Sequence, residues 1–289
     1  MRHDPACPGN YRSGYPHCRN PEFRVWRREH LSFLEKAMKV SNVCLKTVFN
    51  LLVTLLMWLY FTVGFVLLFS PFYLWAYLFS KNREFAFQRL NHYFFQGFFF
   101  LLKHLAPRVK WNIPNELKKI KSSVVVCNHS SFLDPLLMIE LFPRHTTIVK
   151  STFFKVPVFG WLLKHSGFIP PASQGRLSAL MLERIEALDG FLASGGNLFV
   201  FPEGTRSRDG SLGPFNKGAF KIARYCQAPI QVLKITGTGE VFAPDKFLFK
   251  ALNPITITVE RVAMVDPEYQ SSSYSTTDTM NRVRSLLEH

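Results

Sequence analysis

Residues 122–134 read Ser-Ser-Val-Val-Val-Cys-Asn-His-Ser-Ser-Phe-Leu-Asp, an apolar run followed at once by a cluster of polar side chains. The run Val124–Cys127 is short, uncharged and mostly β-branched, which predicts a buried strand. Ser130 or Ser131 then has the character of an N-cap for a helix through the leucines that follow. His129 is therefore expected where a strand gives way to a helix, which is where open α/β sheets bind ligands.

The spacing between His129 and Asp134 allows one particular pairing. Residues five apart do not share a face of a regular helix, so the side chains meet only if His129 precedes the helix and Asp134 lies in its first turn. A carboxylate bonded to one imidazole nitrogen fixes the tautomer and leaves the other nitrogen to take up a proton. The simpler alternative is a turn histidine before a capping box of Ser131 and Asp134. Local motifs are weak evidence, so the stretch alone favours this alternative.

A second polar cluster follows another strand-like run, residues 198–201, and occupies the loop 202–208. Arg206 offers a planar fork of donors that suits phosphate oxygens. Gly204 lets the backbone approach a ligand closely, and Glu203 is predicted to orient Arg206 or to hold an acceptor hydroxyl. Taken alone, the loop is explained more simply as a surface turn with a Glu–Arg pair.

The composition favours a membrane partner over a nucleic acid. The 289 residues carry a net charge of +15, which suits an anionic membrane surface, a nucleic acid or a phosphorylated substrate. Many of the 29 phenylalanines lie in one apolar tract rather than among basic residues, as stacking on bases would require. Five cysteines without a C-x-x-C pair indicate a reducing compartment, and Cys7 and Cys18 with His3 and His17 match no zinc pattern. No metal is expected.

The first third of the chain divides into a polar, basic segment over residues 1–42 and membrane-embedded and interfacial helices over residues 43–106. Residues 48–69 are long and apolar enough to cross a bilayer, and a helical break is predicted at Pro71. Basic residues flank both ends of the apolar tract, so charge gives no clear orientation. A single span and a helix pair within one leaflet both remain open, with the flanking charges slightly favouring the pair.

The remaining residues, 107–289, are predicted to form one α/β domain. Short strands alternate with helices, which indicates a mostly parallel sheet flanked by helices, preceded by the N-terminal membrane-embedded helical segment. A serine-hydrolase elbow, a zinc-protease motif and a phosphate-binding P-loop are absent from the sequence, and Gly237-Thr-Gly239 lacks the third glycine of a dinucleotide loop. The predicted strands are residues 109–112, 124–127, 147–149, 167–169, 197–201, 230–235 and 255–260, and the predicted helices are 135–142, 160–164, 174–194 and 218–225.

The two polar clusters together resemble the glycerolipid acyltransferases, in particular the lysophosphatidate (1-acyl-glycerol-3-phosphate) acyltransferase family. The Asn-His-x-x-x-x-Asp box of that family is similar to residues 128–134, and its Phe-Pro-Glu-Gly-Thr-Arg-Ser box to residues 201–207. Further family segments resemble residues 150–161, 214–218 and 228–232. The chain departs from the family pattern after its Gly-x-Ile strand, where an acidic–Arg pair is usual, and in its fourth box, which lacks a second proline.

The resemblance implies a catalytic pair in which His129 takes a proton from the acceptor hydroxyl and Asp134 orients the imidazole. An acyl thioester, carried by coenzyme A or acyl carrier protein, is implied as co-substrate, with no other cofactor. The substrate contacts that the resemblance implies are Asn128, Lys150, Arg176, Glu203, Gly204, Thr205, Arg206 and Lys217.

The partners implied by the resemblance are membrane phospholipids, the acyl thioester and a lysophospholipid acceptor, foremost 1-acyl-glycerol-3-phosphate, which would give phosphatidic acid. The catalytic domain is expected at a membrane and facing the cytoplasm, without a nucleic-acid partner. Two alternatives remain open. One is another acceptor, such as glycerol-3-phosphate, another lysophospholipid or a lyso-aminolipid, and the other is a non-catalytic lipid-binding protein that keeps the fold.

Overall fold

The computed structural model describes residues 21–171, 176–208 and 210–288. Its contacts divide the chain into two compact units, Met1–Val48 and Phe49–His289, and the α/β fold lies in the second. The four Cys and His residues of the N-terminal segment that were tested against zinc patterns lie outside the described residues.

The apolar tract forms one uninterrupted helical segment. Helix α1, Pro21–Leu59, passes into a π-helix, Tyr60–Phe69, and then into α2, Ser70–Phe79. The break predicted at Pro71 is wrong, because this proline lies in the first turn of α2, where its missing N–H is tolerated. By length and composition alone, the stretch His30–Phe79 is long and apolar enough to cross a membrane.

Helix α3, Arg83–Leu105, turns back along α2 and also covers the sheet. The Tyr73 hydroxyl of α2 donates to Asn91 Oδ1 of α3 at 2.6 Å, and the Tyr73 and Phe87 rings meet edge to face at 5.1 Å. Asn82 caps the helix by accepting a hydrogen bond from the Phe85 N–H. Helix α3 lies within residues 43–106, which were predicted to form membrane-embedded and interfacial helices, and it packs against α2.

Within the described residues, six strands form one mixed sheet in the order β1-β6-β5-β2-β4-β3. All neighbouring pairs are parallel except β5 and β6, which run antiparallel, so the predicted mostly parallel sheet is confirmed. The strand predicted at residues 167–169 is reduced to a single bridge between Ile148 and Ile169. The strands are β1, Val109–Asn112; β2, Ser123–Cys127; β3, His145–Thr147; β4, Asn197–Val200; β5, Ile230–Thr236; and β6, Ile255–Val265.

Helices cover both faces of the sheet, because alternate residues of each strand point to opposite sides. Val125 packs in one cluster with side chains of α3 and α4, whereas Val124 and Val126 pack in another with α8, α9 and α11. The helix predicted over residues 174–194 is two helices, α7 and α8. The helices after α3 are a 3₁₀ turn, Asn115–Lys119; α4, Leu133–Leu141; α5, Ser151–Phe154; α6, Phe159–His165; α7, Arg176–Glu186; α8, Leu188–Ala193; α9, Gly218–Tyr225; α10, Thr238–Val241; and α11, Thr276–Glu288.

Candidate active site

Three loops meet at one edge of the sheet. Strands β4, β2 and β5 are parallel neighbours, so their carboxyl ends lie side by side, where open α/β sheets bind ligands. The loop after β2 carries His129, the loop after β4 carries Glu203, and the loop after β5 carries Thr238. The sequence predicts the first two loops as functional and misses the third.

The pairing predicted from the spacing of His129 and Asp134 is present. His129 Nδ1 lies 3.0 Å from Asp134 Oδ2. Asp134 is fully buried in the first turn of α4, and 16% of the His129 side chain remains exposed. The imidazole is thus held by the buried Asp134 carboxylate, and part of the ring remains accessible to a small substrate group.

Asp134 also performs the capping role that the simpler explanation assigned to it. Its Oδ2 accepts hydrogen bonds from the backbone N–H groups of Ser130 and Ser131, each at 2.7 Å. Ser131 Oγ accepts from the Leu133 N–H at 3.2 Å, and the Asp134 N–H bonds to the Ser131 carbonyl, so the carboxylate half of a capping box is formed. The two explanations are compatible, because one carboxylate both closes the turn and holds His129.

Among the described residues, the groups that contact the Asp134 carboxylate all donate hydrogen bonds to it. In addition to the two backbone amides and His129, Thr238 donates its hydroxyl to Oδ1 at 2.6 Å. Surroundings that only donate hydrogen bonds suit an ionised carboxylate, and the proton of a neutral His129 ring must then reside on Nδ1. Nε2 then carries the lone pair and is the nitrogen that can take a proton from a substrate.

Glu203 fastens the loop after β4 to the histidine loop. Its Oε1 accepts from the His129 backbone N–H at 2.9 Å and its Oε2 from the Gly213 N–H at 3.0 Å. The Ser207 N–H donates to the His129 carbonyl at 2.8 Å, which ties the same two loops a second time. Among the described residues, the Glu203 carboxylate bonds to these amides and not to Arg206, so its predicted pairing with that guanidinium is not formed.

Two further contacts hold the histidine loop in place. The Phe201 ring stacks on the His129 imidazole, with 4.3 Å between ring centroids. The Asn128 side chain donates to the Ile235 carbonyl at 2.8 Å and accepts from the Ile235 N–H at 2.7 Å. Asn128, predicted as a substrate contact, therefore uses both ends of its amide on β5, and Phe201 is a supporting residue that the sequence did not indicate.

Several of the remaining predicted contacts are exposed to solvent. Gly204, Thr205 and Arg206 are exposed at the tip of the loop after β4, and Gly204 has a φ of +68°, which favours glycine. Lys150 is exposed just before α5.

Lys217 and Arg176 complete the predicted set of substrate contacts. Lys217 is exposed, and its Nζ donates to Thr277 Oγ1 of α11 at 2.9 Å. Arg176 begins α7, and its side chain lies outside the described part of the chain. The structure thus joins Glu203 directly to the histidine loop and leaves Arg206 next to it.

Thr238 is the functional residue that sequence reasoning missed. It is fully buried and follows Gly237, whose φ of +82° turns the chain out of β5. A Cβ at Gly237 would collide with the Thr256 carbonyl oxygen, so only glycine fits between β5 and β6. The sequence feature that could have indicated Thr238 is Gly237-Thr-Gly239 directly after an apolar strand. By its spacing alone it resembles only an incomplete dinucleotide loop.

An apolar cavity of about 360 Å³ has part of its wall in α4, the helix that carries Asp134. Phe132 and Leu136, which follow the histidine in the same loop and helix, form part of its wall. Phe94 of α3 and Phe159 of α6 also line it, which brings distant parts of the sequence together. A space with walls of this kind suits a hydrocarbon chain.

Known proteins resemble this chain in sequence. Residues 108–236 match the family model described as Acyltransferase. The chloroplastic 1-acyl-sn-glycerol-3-phosphate acyltransferase BAT2 of Brassica napus is 38% identical over 123 residues, which cover 41% of this chain and 34% of that protein. The human 1-acyl-sn-glycerol-3-phosphate acyltransferase beta is 30% identical over 149 residues, covering 51% of this chain and 52% of that protein.

The fold has a counterpart among solved structures. The crystal structure of the 1-acyl-sn-glycerophosphate acyltransferase PlsC from Thermotoga maritima superposes with a TM-score of 0.63 at 24% sequence identity. The alignment covers 84% of this chain and 96% of that one. At this identity the likeness establishes a shared fold.

Residues 108–236, which are less than half of the chain, match that family model and contain both the histidine loop and the Glu203 loop, so this segment resembles an acyltransferase-family domain. The curated relatives that resemble this chain include several named as 1-acyl-sn-glycerol-3-phosphate acyltransferases. The matched region spans about a third to a half of the length of the Brassica and human relatives.

Proposed function

We propose that the protein transfers an acyl chain from an acyl thioester to the free hydroxyl of a lysophospholipid, with 1-acyl-glycerol-3-phosphate as acceptor and phosphatidic acid as product. The observation that carries this proposal is the 3.0 Å contact of His129 Nδ1 with buried Asp134, because it leaves Nε2 as a base at the sheet edge. The donor is acyl-coenzyme A or acyl carrier protein.

The reaction follows from this arrangement. His129 Nε2 accepts the proton of the acceptor hydroxyl while the hydroxyl oxygen attacks the thioester carbonyl carbon. The resulting tetrahedral species breaks its C–S bond, and the departing sulfur takes the proton back from Nε2. Asp134 stabilises the imidazolium that forms between the two steps. The chain's own residues supply the base, its orientation and the walls of the site.

The acyl chain is proposed to occupy the apolar cavity of about 360 Å³. Phe132 and Leu136 line the cavity and lie within three residues of His129 or Asp134 in the sequence, which supports a position of the thioester carbonyl near His129. Because acceptor and product are lipids, the site must also open at a leaflet surface, and the stretch His30–Phe79 supports attachment to a membrane. We propose that the domain faces the cytoplasm, where it would meet the thioester.

Filling the cavity is expected to change the preferred donor. Ile139 lines the cavity from α4 and is buried, so Ile139→Trp would remove room for several methylene groups. Each buried methylene contributes about 0.8 kcal/mol, so use of palmitoyl donor should fall by about tenfold or more relative to octanoyl donor. The control is Ile139→Val, which keeps the cavity open. An unchanged ratio of the two donors in a folded Ile139→Trp protein would contradict this placement of the chain.

The phosphate of the acceptor is proposed to bind Arg206. The Ser207 N–H bonds to the His129 carbonyl, which brings Arg206 next to the catalytic loop. Arg206→Ala should raise KM for lysophosphatidate by about 10–100-fold with a smaller change in kcat, since a charged hydrogen bond contributes about 1.5–3 kcal/mol. Arg208→Ala is the matched control, because Arg208 pairs with Asp245 at 3.2 Å on the exposed side of the same loop. Equal effects of both variants would count against this role.

A panel of acceptors tests the proposed function directly. Purified full-length protein in lipid nanodiscs would receive labelled acyl-coenzyme A or acyl carrier protein with lysophosphatidate, lysophosphatidylcholine, lysophosphatidylethanolamine, a lyso-aminolipid or glycerol-3-phosphate. We expect the highest kcat/KM with lysophosphatidate. A preference for an acceptor without a phosphomonoester would overturn the choice of acceptor, and binding without transfer to any of them would indicate a lipid-binding protein.

A further inference from the structure

The fourth donor to Asp134 comes from a part of the chain remote from the histidine motif. Thr238 lies at the start of α10, just beyond the matched residues 108–236, and its hydroxyl reaches Asp134 Oδ1 at 2.6 Å. Both Thr238 and Asp134 have 0% exposure, so solvent cannot replace this hydrogen bond. Gly237 and Gly239 allow the approach, because a Cβ at Gly239 would lie 3.2 Å from the Ser130 carbonyl oxygen.

The number of available protons determines which atom donates in each hydrogen bond between Ser130, Thr238 and Asp134. The single hydroxyl proton of Thr238 is used on Asp134, whose Oδ1 can only accept from it. In the 3.2 Å contact between Ser130 Oγ and Thr238 Oγ1, Ser130 must then be the donor. Hydrogen bonds therefore run from Ser130 to Thr238 to Asp134, and separately from His129 Nδ1 to the same carboxylate.

We propose that Thr238 is a positioning residue that sets the proton affinity of the His129–Asp134 pair. A donor to the carboxylate stabilises its charged form, so its removal makes the pair bind a proton more readily, whichever of the two groups carries it. A base that is protonated at working pH cannot accept the proton of an acceptor hydroxyl. This inference rests on the proposed function for its catalytic meaning.

Other titratable groups lie on the elements around the pair. Cys127 on β2 is buried, and burial, with a smaller contribution from Asp134, raises the pKa of its thiol well above the usual value, so it is neutral. Glu203 contacts the His129 backbone N–H from the loop after β4. Glu240 on α10 is exposed, and on α4 Glu140 lies beside Lys118 at 3.6 Å. A substitution at Thr238 therefore removes a hydrogen-bond donor of the pair and leaves these charged groups in place.

The test compares Thr238→Val, which keeps the shape and removes the hydroxyl, with Thr238→Ser, which keeps the hydroxyl. Thr238→Val should lower kcat/KM near neutral pH by about tenfold or more and move the acid limb of the pH–rate profile up by about one unit. Thr238→Ser should keep the limb of the unmodified protein. A uniform loss at every pH, without movement of the limb, would show a merely structural role and overturn the inference.

A readout independent of activity separates this inference from the proposed function. In full-length protein labelled with ¹⁵N-histidine in nanodiscs, the His129 signal is assigned by its loss in His129→Gln. The midpoint of the pH titration of this signal should rise by about one pH unit in Thr238→Val. If Thr238→Val does not fold, Ser130→Ala should shift the midpoint in the same direction by less. A shifted midpoint in a protein without acyl transfer supports the positioning role and refutes the proposed function. Active protein with an unmoved midpoint refutes the positioning role.

Discussion

Replacement of His129 by alanine is expected to lower acyl transfer by about 10³-fold or more. The variant lacks the nitrogen that takes the proton of the acceptor hydroxyl, and Asp134, fully buried beneath it, cannot reach a substrate in its place. General-base catalysis contributes about 10²–10⁴-fold, and loss of the central histidine of a hydrogen-bonded catalytic group is usually at the upper end. Initial rates with lysophosphatidate and a long-chain thioester would measure the effect.

The controls separate chemistry from folding and from membrane attachment. His129→Gln preserves much of the side-chain volume against Phe201 and should be as inactive as the alanine variant. His104→Ala removes an exposed histidine at the end of α3 and should leave the rate unchanged. Both His129 variants should sediment with membranes as the unmodified protein does, since the apolar helical segment is intact. A His129→Ala protein that keeps more than a tenth of the rate would exclude the proposed base.

The Asp134→Asn variant is expected to lose about 10³–10⁴-fold in kcat and also to unfold more easily. The carboxylate accepts from four donors, and an amide would turn its own N–H₂ towards at least one of them. A buried polar group left unsatisfied in this way lowers the free energy of unfolding by about 1–3 kcal/mol. If the amide nitrogen faces His129, it would also favour the wrong tautomer, which is the source of the large rate effect.

A matched variant on the same helix distinguishes these effects from the loss of any buried carboxylate. Glu140 is also largely buried on α4, but its partner is Lys118 at 3.6 Å and it has no contact with the site. Glu140→Gln should therefore change kcat less than about threefold, whatever it does to thermal stability. Parallel rate and thermal-unfolding measurements would settle the comparison. Similar losses of kcat in the two variants would mean that Asp134 acts only through folding.

The sequence predicted those parts of the site that depend on local chemistry. A five-residue spacing across a helix start permits few geometries, so the His129–Asp134 contact could be anticipated from it. The apolar runs that became β2, β4 and β5 identified the strands, and parallel neighbours must place their carboxyl ends together. Because β2 and β4 are neighbours in the sheet, the rule explains why the Glu203 loop lies beside the histidine loop.

The features that the sequence did not predict depend on long-range packing. Thr238 lies 104 residues from Asp134, and a buried threonine after a glycine has no distinctive local pattern. The partners of Glu203 could not be foreseen, because backbone amides of two separate loops compete with a neighbouring arginine for its oxygens. The cavity depends on helices α3, α4 and α6, which come together only in the folded chain.

Long basic side chains were the least predictable group. Lys217 is exposed and extends to Thr277, a residue in the last helix that no spacing rule connects to it. The error at Pro71 has a different origin, since a proline ends a helix in its interior but begins one comfortably in its first turn. For Pro71 the residue type was assessed correctly and its structural context was not.

The order of strands in the sheet has a consequence for how the nascent chain folds. Among the described strands, β1 lies at the edge and pairs only with β6, which separates it from β5. Residues 255–265 leave the ribosome long after residues 109–112, so β1 must wait without a strand partner while β2, β4 and β5 are already able to assemble. The segment that matches the family model, residues 108–236, therefore ends before β6, the strand with which β1 pairs.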